Sequence, residues 1–77
     1  MSQQYLIQYL QHDEWESYQQ PVTTKAAVNR DWFVFLSRWS KHRGCTAGRI
    51  VKIQRVRTSG EWLVREVVEY RDIEEDH

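Results

Sequence analysis

His42 and Cys45 stand in an H-x-x-C spacing, which is half of a tetrahedral zinc site, and Cys45 is the only thiol in the chain. A structural zinc takes four protein ligands. The other histidines, His12 and His77, fall in a turn and at the terminus, and there is no second cysteine, so no metal is expected. The ordinary reading is a solvated imidazole beside a small hydrophobic side chain. As a nucleophile, Cys45 would follow the C-terminal end of a helix, whose negative dipole disfavours thiolate. The acidic pair Glu14 and Glu16 lies in or beside a turn, where nothing would desolvate one carboxyl enough to make it an acid to the other's base. Gly44-Cys45-Thr46-Ala47-Gly48 lacks the lysine-hydroxyl ending of a phosphate loop and precedes a strand rather than a helix. The sequence therefore predicts no catalysis, no cofactor and no small-molecule substrate.

The arrangement with most chemical content is a basic segment. Residues 1–24 carry three acids and no base, residues 25–57 nine bases and one acid, and residues 58–77 two bases and seven acids. The net charge of zero thus hides blocks of −3, +8 and −5. Between Ser37 and Arg57 no carboxylate occurs, and Lys41, Arg43, Arg49, Lys52, Arg55 and Arg57 stand there beside Arg38 and Trp39. Cations for phosphates and a flat ring for bases are what nucleic-acid binding requires. Two facts restrain that reading: Trp39 falls on a helix stripe where packing is its ordinary work, and strand alternation sends Lys52 to one face and Arg49, Arg55 and Arg57 to the other. Neutralisation within the domain by Glu66, Glu69 and the acidic end is the plain alternative.

These residues need elements to hold them. Gln4 to Gln11 reads as a strand with Tyr5, Ile7 and Tyr9 on one face and Leu6 and Leu10 on the other. His12-Asp13-Glu14 supplies a turn, and Trp15 to Gln20 runs back as a weaker strand closed by Pro21. From Thr24 to Arg43 the period is helical: Val28, Trp32, Phe35, Leu36 and Trp39 share a stripe about 100° wide. Thr23 or Thr24 suits the N-cap and Gly44 the left-handed position past the end, while Phe33 and Val34 lie off the stripe. Arg49 to Thr58 and Glu61 to Asp72 read as a hairpin turning at Ser59-Gly60.

With Arg57 set against Trp62, the hairpin pairs Val51 with Val68, Ile53 with Glu66, Arg55 with Val64 and Arg49 with Tyr70. The face carrying Val51, Ile53, Trp62, Val64, Val68 and Tyr70 is then expected under the helix, with Glu66 reaching diagonally to Arg55. The other face would carry Ile50, Val56, Leu63 and Val67, an apolar set that one helix cannot also cover.

The fold expected is α+β: one amphipathic helix on a three- or four-stranded, mostly antiparallel sheet, in the order β-β-α-β-β. Seventy-seven residues allow a single domain, placed at residues 1–72, with residues 73–77 as a disordered acidic tail. A chain of this size buries roughly 60 % of its unfolded surface and holds about 4 to 11 kcal/mol of stability. No apolar run is long enough for a membrane span or a signal peptide core, and the lone cysteine fits a reducing compartment, so a cytoplasmic location without a membrane partner is expected.

The plan and its tryptophan and glutamine content are similar to those of many small accessory proteins of phages and mobile elements. That resemblance implies action by binding and blocking or redirecting a larger macromolecule, and it assigns no residue. The function expected is that of a small non-enzymatic module working by stoichiometric protein-protein interaction, as accessory, regulator or inhibitor. The patch Ile50, Val56, Leu63 and Val67 would meet a protein partner or a second copy in a homodimer. The alternative is a nucleic-acid-binding accessory protein using residues 37–57.

Overall fold

The computed structural model describes residues 3–39 and 44–73. Strand β1 (Gln4–Gln11) and the short strand β2 (Glu14–Ser17) precede helix α1 (Lys25–Val34), which runs on into a π turn, Phe35–Trp39. Strands β3 (Ala47–Arg55) and β4 (Trp62–Asp72) complete one four-stranded sheet in the order β2-β1-β3-β4. Every strand pairing is antiparallel. The chain is thus an α+β protein with its helix between β2 and β3, and the π turn is an addition to the expected order. Lys41 and Arg43 lie outside the described residues, as does the predicted last turn of the helix.

Residues His12 and Asp13 join β1 to β2 with φ of 55° and 63°. Two successive left-handed residues match the right-handed twist of the strands they connect. Strand β2 is shorter than the predicted 15–20 because the chain then satisfies the β1 edge by other means. The Tyr18 N–H donates to the Ile7 carbonyl, and Val22 exchanges two backbone bonds with Tyr5. Between them the Gln19 side chain accepts from the Ile7 N–H at 3.1 Å and donates to Asp31 on α1 at 3.1 Å. One amide side chain so closes the sheet edge and ties it to the helix.

Thr24 is the N-cap, its side chain accepting from the Ala27 N–H at 3.2 Å. The expected stripe is the buried one: Val28, Trp32 and Phe35 are buried, Leu36 and Trp39 pack half-buried beside them, and Phe33 is 73 % exposed. The Ser37 hydroxyl donates to the Phe33 carbonyl at 2.8 Å, a group that an uninterrupted α-helix would give to the Ser37 N–H. The wider turn accompanies that substitution. Trp32 stacks on Phe35 and Phe35 on Trp39, each at 5.4 Å between ring centroids, and Tyr18 meets both Phe35 and Trp39 edge-on.

This aromatic stack rests on Gly48 in β3. A Cβ there would stand 2.5 Å from Phe35 and 3.3 Å from Trp32, so only glycine admits the rings against the strand backbone.

The helix therefore covers the opposite face from the one expected. Ile50, two residues from Gly48, is buried beneath it with Ile7, while Val51, Ile53 and Leu6 form a separate buried cluster. Arg49 shares the face of Val51, and a helix laid there would have trapped its charge. The register also differs. Val56 and Glu61 close a wider turn with Gly60 at φ 73°, so β4 starts with Trp62 against Arg55 and Val64 against Ile53. Two bulges follow, between Lys52 and Ile53 and between Ile50 and Val51. They bring Glu66 opposite Lys52, Val67 opposite Val51 and, as expected, Tyr70 opposite Arg49. Val68, the extra residue of one bulge, turns to the helix side instead of pairing with Val51. Glu66 bonds Lys52 at 3.1 Å rather than Arg55. Ile73, read from sequence as the start of the tail, donates to the Thr46 carbonyl and packs on the helix-side core.

Two substitutions test this packing. Gly48→Ala should cost about 1 to 3 kcal/mol in chemical denaturation, because neither the ring nor the strand can retreat. Phe33→Ser, on the exposed side of the same helix, should cost under about 1 kcal/mol, and a larger loss would contradict the helix phase described.

Candidate functional site

Strand β4 is one edge of the sheet and is paired only along β3. It is eleven residues long, against four for β2 at the other edge. Its sequence alternates poorly because both of its faces are apolar, and it is here that the large exposed apolar side chains gather. Trp62, Leu63, Val64, Val67 and Tyr70 are 38 to 52 % exposed. By register Trp62, Val64, Val67 and Tyr70 lie on the helix-free face and Leu63 on the helix side. Between them stand Arg65, Glu66, Glu69, Arg71 and Asp72, so the edge carries both charge signs along its length.

The four residues predicted as one apolar patch do not form one surface. Ile50 is buried in the core, Val56 is half-buried at the hairpin end, and Leu63 and Val67 are exposed on opposite faces of β4. The two bulges cause this, since each adds one residue and so reverses the side taken by everything beyond it. The exposed set centred on β4 includes Trp62, Val64 and Tyr70, which the sequence reading had placed under the helix. Their membership followed from the face assignment, and a glycine flanked by Ala47 and Arg49 was the signal for the true face.

The basic residues are also divided. Lys52 is spent on Glu66. Arg49 sits in a ladder that crosses all four strands on the helix-free face. Its guanidinium lies 4.1 Å from the centroid of the Trp15 ring on β2, its Nε donates to Gln8 on β1 at 2.9 Å, and Tyr70 on β4 is directly opposite it. Trp15 and Tyr70 meet edge-on at 6.2 Å, and the Tyr70 hydroxyl donates to Asp72 at 3.0 Å. Burial lowers the Arg49 pKa, a pull that Tyr70 opposes. The bond to Asp72 pushes the Tyr70 hydroxyl up. Arg49 is thereby committed to the sheet.

Arg55 and Arg57 come together at the far end of the hairpin. With Arg65 they line an open depression of about 880 Å³, whose other walls are Gln4, Gln54, Val56, Gly60 and Leu63. No carboxylate stands among those lining residues. Arg55 also lies over the Trp62 ring at 5.7 Å. Arg65, outside the basic segment, is the member that sequence reasoning missed, and it enters only because its strand folds back.

No family model, curated protein or solved structure matches this chain. Its function is therefore argued from the geometry of β4 and of the hairpin end. Among the described residues no group of three or more His, Cys, Asp and Glu side chains could hold a metal ion, and His42 lies outside them. Cys45 is buried, and burial pushes its thiol up against a smaller opposing pull from its backbone hydrogen bond. No helix among the described residues is long and apolar enough to cross a membrane.

The ladder makes Arg49 a structural residue. Arg49→Ala should cost about 1 to 2 kcal/mol in a urea melt, and Arg49→Lys should recover little of it, because an ammonium lacks the flat face that lies on Trp15. Full recovery by lysine would show that charge alone matters there.

Proposed function

We propose that this chain is a non-enzymatic binding module that acts by stoichiometric protein-protein interaction, with β4 as its interface. The observation that supports this is the concentration of exposed apolar side chains on an open, eleven-residue edge strand. An edge strand offers a row of unpaired backbone donors and acceptors, and a partner strand added to it gains both those bonds and side-chain contacts on either face. Apolar groups on both sides of one strand are what such a partner would cover. The charges and bulges of β4 oppose indiscriminate pairing, so the edge favours a partner that matches them.

A second reading has an observation of its own. Arg55, Arg57 and Arg65 around one depression would suit an anionic partner, including a nucleic acid backbone. It has less support than the edge strand, since Arg49 and Lys52 are engaged within the sheet and the whole chain carries no net charge.

A tagged chain, used to capture partners from lysate of its own cells with and without nuclease, separates the two. The protein reading expects nuclease-resistant capture, lost in a Val64→Lys/Val67→Lys variant whose stability falls by less than about 1 kcal/mol. Capture that vanishes with nuclease, and with Arg55→Gln/Arg57→Gln but not with the lysine variant, would replace it with the second reading.

A further inference from the structure

We infer that the strand added to β4 is β4 of a second copy of this chain, run antiparallel about a two-fold axis between Val68 and Glu69. This rests on the reading of β4 as the interface, and it adds the occupant and the register.

The inference follows from the order of charges along the strand. When a strand pairs antiparallel with its own copy, the position of the axis decides every opposition at once. With the axis between Val68 and Glu69, Glu66 stands opposite the partner's Arg71, Arg65 opposite the partner's Asp72, and Val67 opposite the partner's Tyr70. The symmetry repeats each pair, so four oppositely charged pairs form and no like charges oppose. Neighbouring registers fail. Moving the axis onto Val68 sets Arg65 against the partner's Arg71, and moving it between Val67 and Val68 sets Glu66 against the partner's Glu69. Moving it onto Glu69 sets that residue against itself and Glu66 against the partner's Asp72. With the axis on Val67 only Arg65 and Glu69 find each other, and Glu66, Arg71 and Asp72 face apolar residues. Like charges directly opposite destabilise a strand pair and unlike charges stabilise it.

The faces agree independently of the charges. Residues opposite one another in an antiparallel pair point to the same side of the sheet. Within this protein Val67 and Tyr70 both lie on the helix-free side, paired with Val51 and Arg49, whereas Glu66 and Arg71 both lie on the helix side, paired with Lys52 and Gly48. The proposed register therefore joins apolar with apolar on one face and acid with base on the other. It continues one sheet through two copies, as an eight-stranded layer with β2 at each end.

Sedimentation equilibrium and native mass spectrometry of the purified full chain test this over a range of concentrations. The wild type should dimerise. Arg71→Glu alone, and Glu66→Lys alone, should each weaken the dimer by about tenfold or more, since each places two like-charged pairs across the axis. Mixed together they should form a heterodimer as strong as the wild type, because both contacts then become opposite in sign. Glu66 also bonds Lys52, so circular dichroism must show each variant folded. The second pair, Arg65→Glu mixed with Asp72→Lys, supplies the same test without touching that bond. A wild type that stays monomeric, or folded variants that dimerise alone as well as the wild type does, or a mixture that restores nothing, would overturn the inference. If the chain is monomeric while the Val64→Lys/Val67→Lys variant still loses nuclease-resistant capture, β4 remains a protein interface whose occupant is another protein. Loss of neither removes both readings.

Discussion

The approach of Phe35 to the backbone of Gly48 is the contact on which the rest of this small protein is arranged. Four aromatic rings meet above one missing side chain, and this decides which side of the sheet the helix lies on. Ile7 and Ile50 become core, and Arg49 is left on the uncovered face, where Trp15, Gln8 and Tyr70 enclose it. The π turn belongs to the same arrangement. It carries Trp39 far enough round to stack on Phe35 and to meet Tyr9 at 4.4 Å, while Ser37 takes up a carbonyl at the change of pitch. A domain with so little volume to bury relies on a few large contacts of this kind, since each aromatic side chain removes more surface from water than any aliphatic one.

The strands and the helix face were legible in the sequence because they depend on short-range periodicity. Val28, Trp32, Phe35, Leu36 and Trp39 fall on one stripe whatever they pack against. The face of the sheet was not legible in the same way, since Val51 with Ile53 and Ile50 with Val68 are equally apolar pairs, and alternation alone cannot rank them. Gly48 could have ranked them, because a glycine inside a strand marks a place where something approaches closely. The hairpin register was misjudged for a different reason. Two bulges in β4 shift it by one residue each, and an extra residue in a uniformly apolar run leaves no mark in composition. Arg49 and Tyr70 were matched correctly only because the wider turn and the two bulges cancel by that point. The apolar patch dispersed with the register, whereas the exposure of Leu63 and Val67 did not depend on it.

Charge is organised at two scales. Along the chain it falls into blocks, an acidic start, a basic middle and an acidic end, and antiparallel pairing lays the last of these against the middle one. Lys52 meets Glu66 for that reason. Along β4 itself the signs alternate over a few residues, and this finer pattern is what a neighbouring strand would read. The basic middle is consequently consumed in part by the fold, with its remainder, Arg55 and Arg57, displaced to the hairpin end.

The sheet order has a consequence for how the chain finds its shape. Its two central strands are distant in sequence: Gln8 bonds Arg49 across 41 residues. Each outer strand, by contrast, is joined to its neighbour by a tight turn. The two hairpins can zip locally within microseconds, but neither has a covered face until β1 meets β3 with the helix already laid across them. The slow step in folding is then the closure of that long loop, whose entropy is lost before the core repays it. Until closure the inner edges of both hairpins are as open as β4 is in the finished protein. The apolar runs of β1 and β3 pass through a stage at which they could pair with another molecule as readily as with each other, and the speed of that one docking event sets how long the hazard lasts.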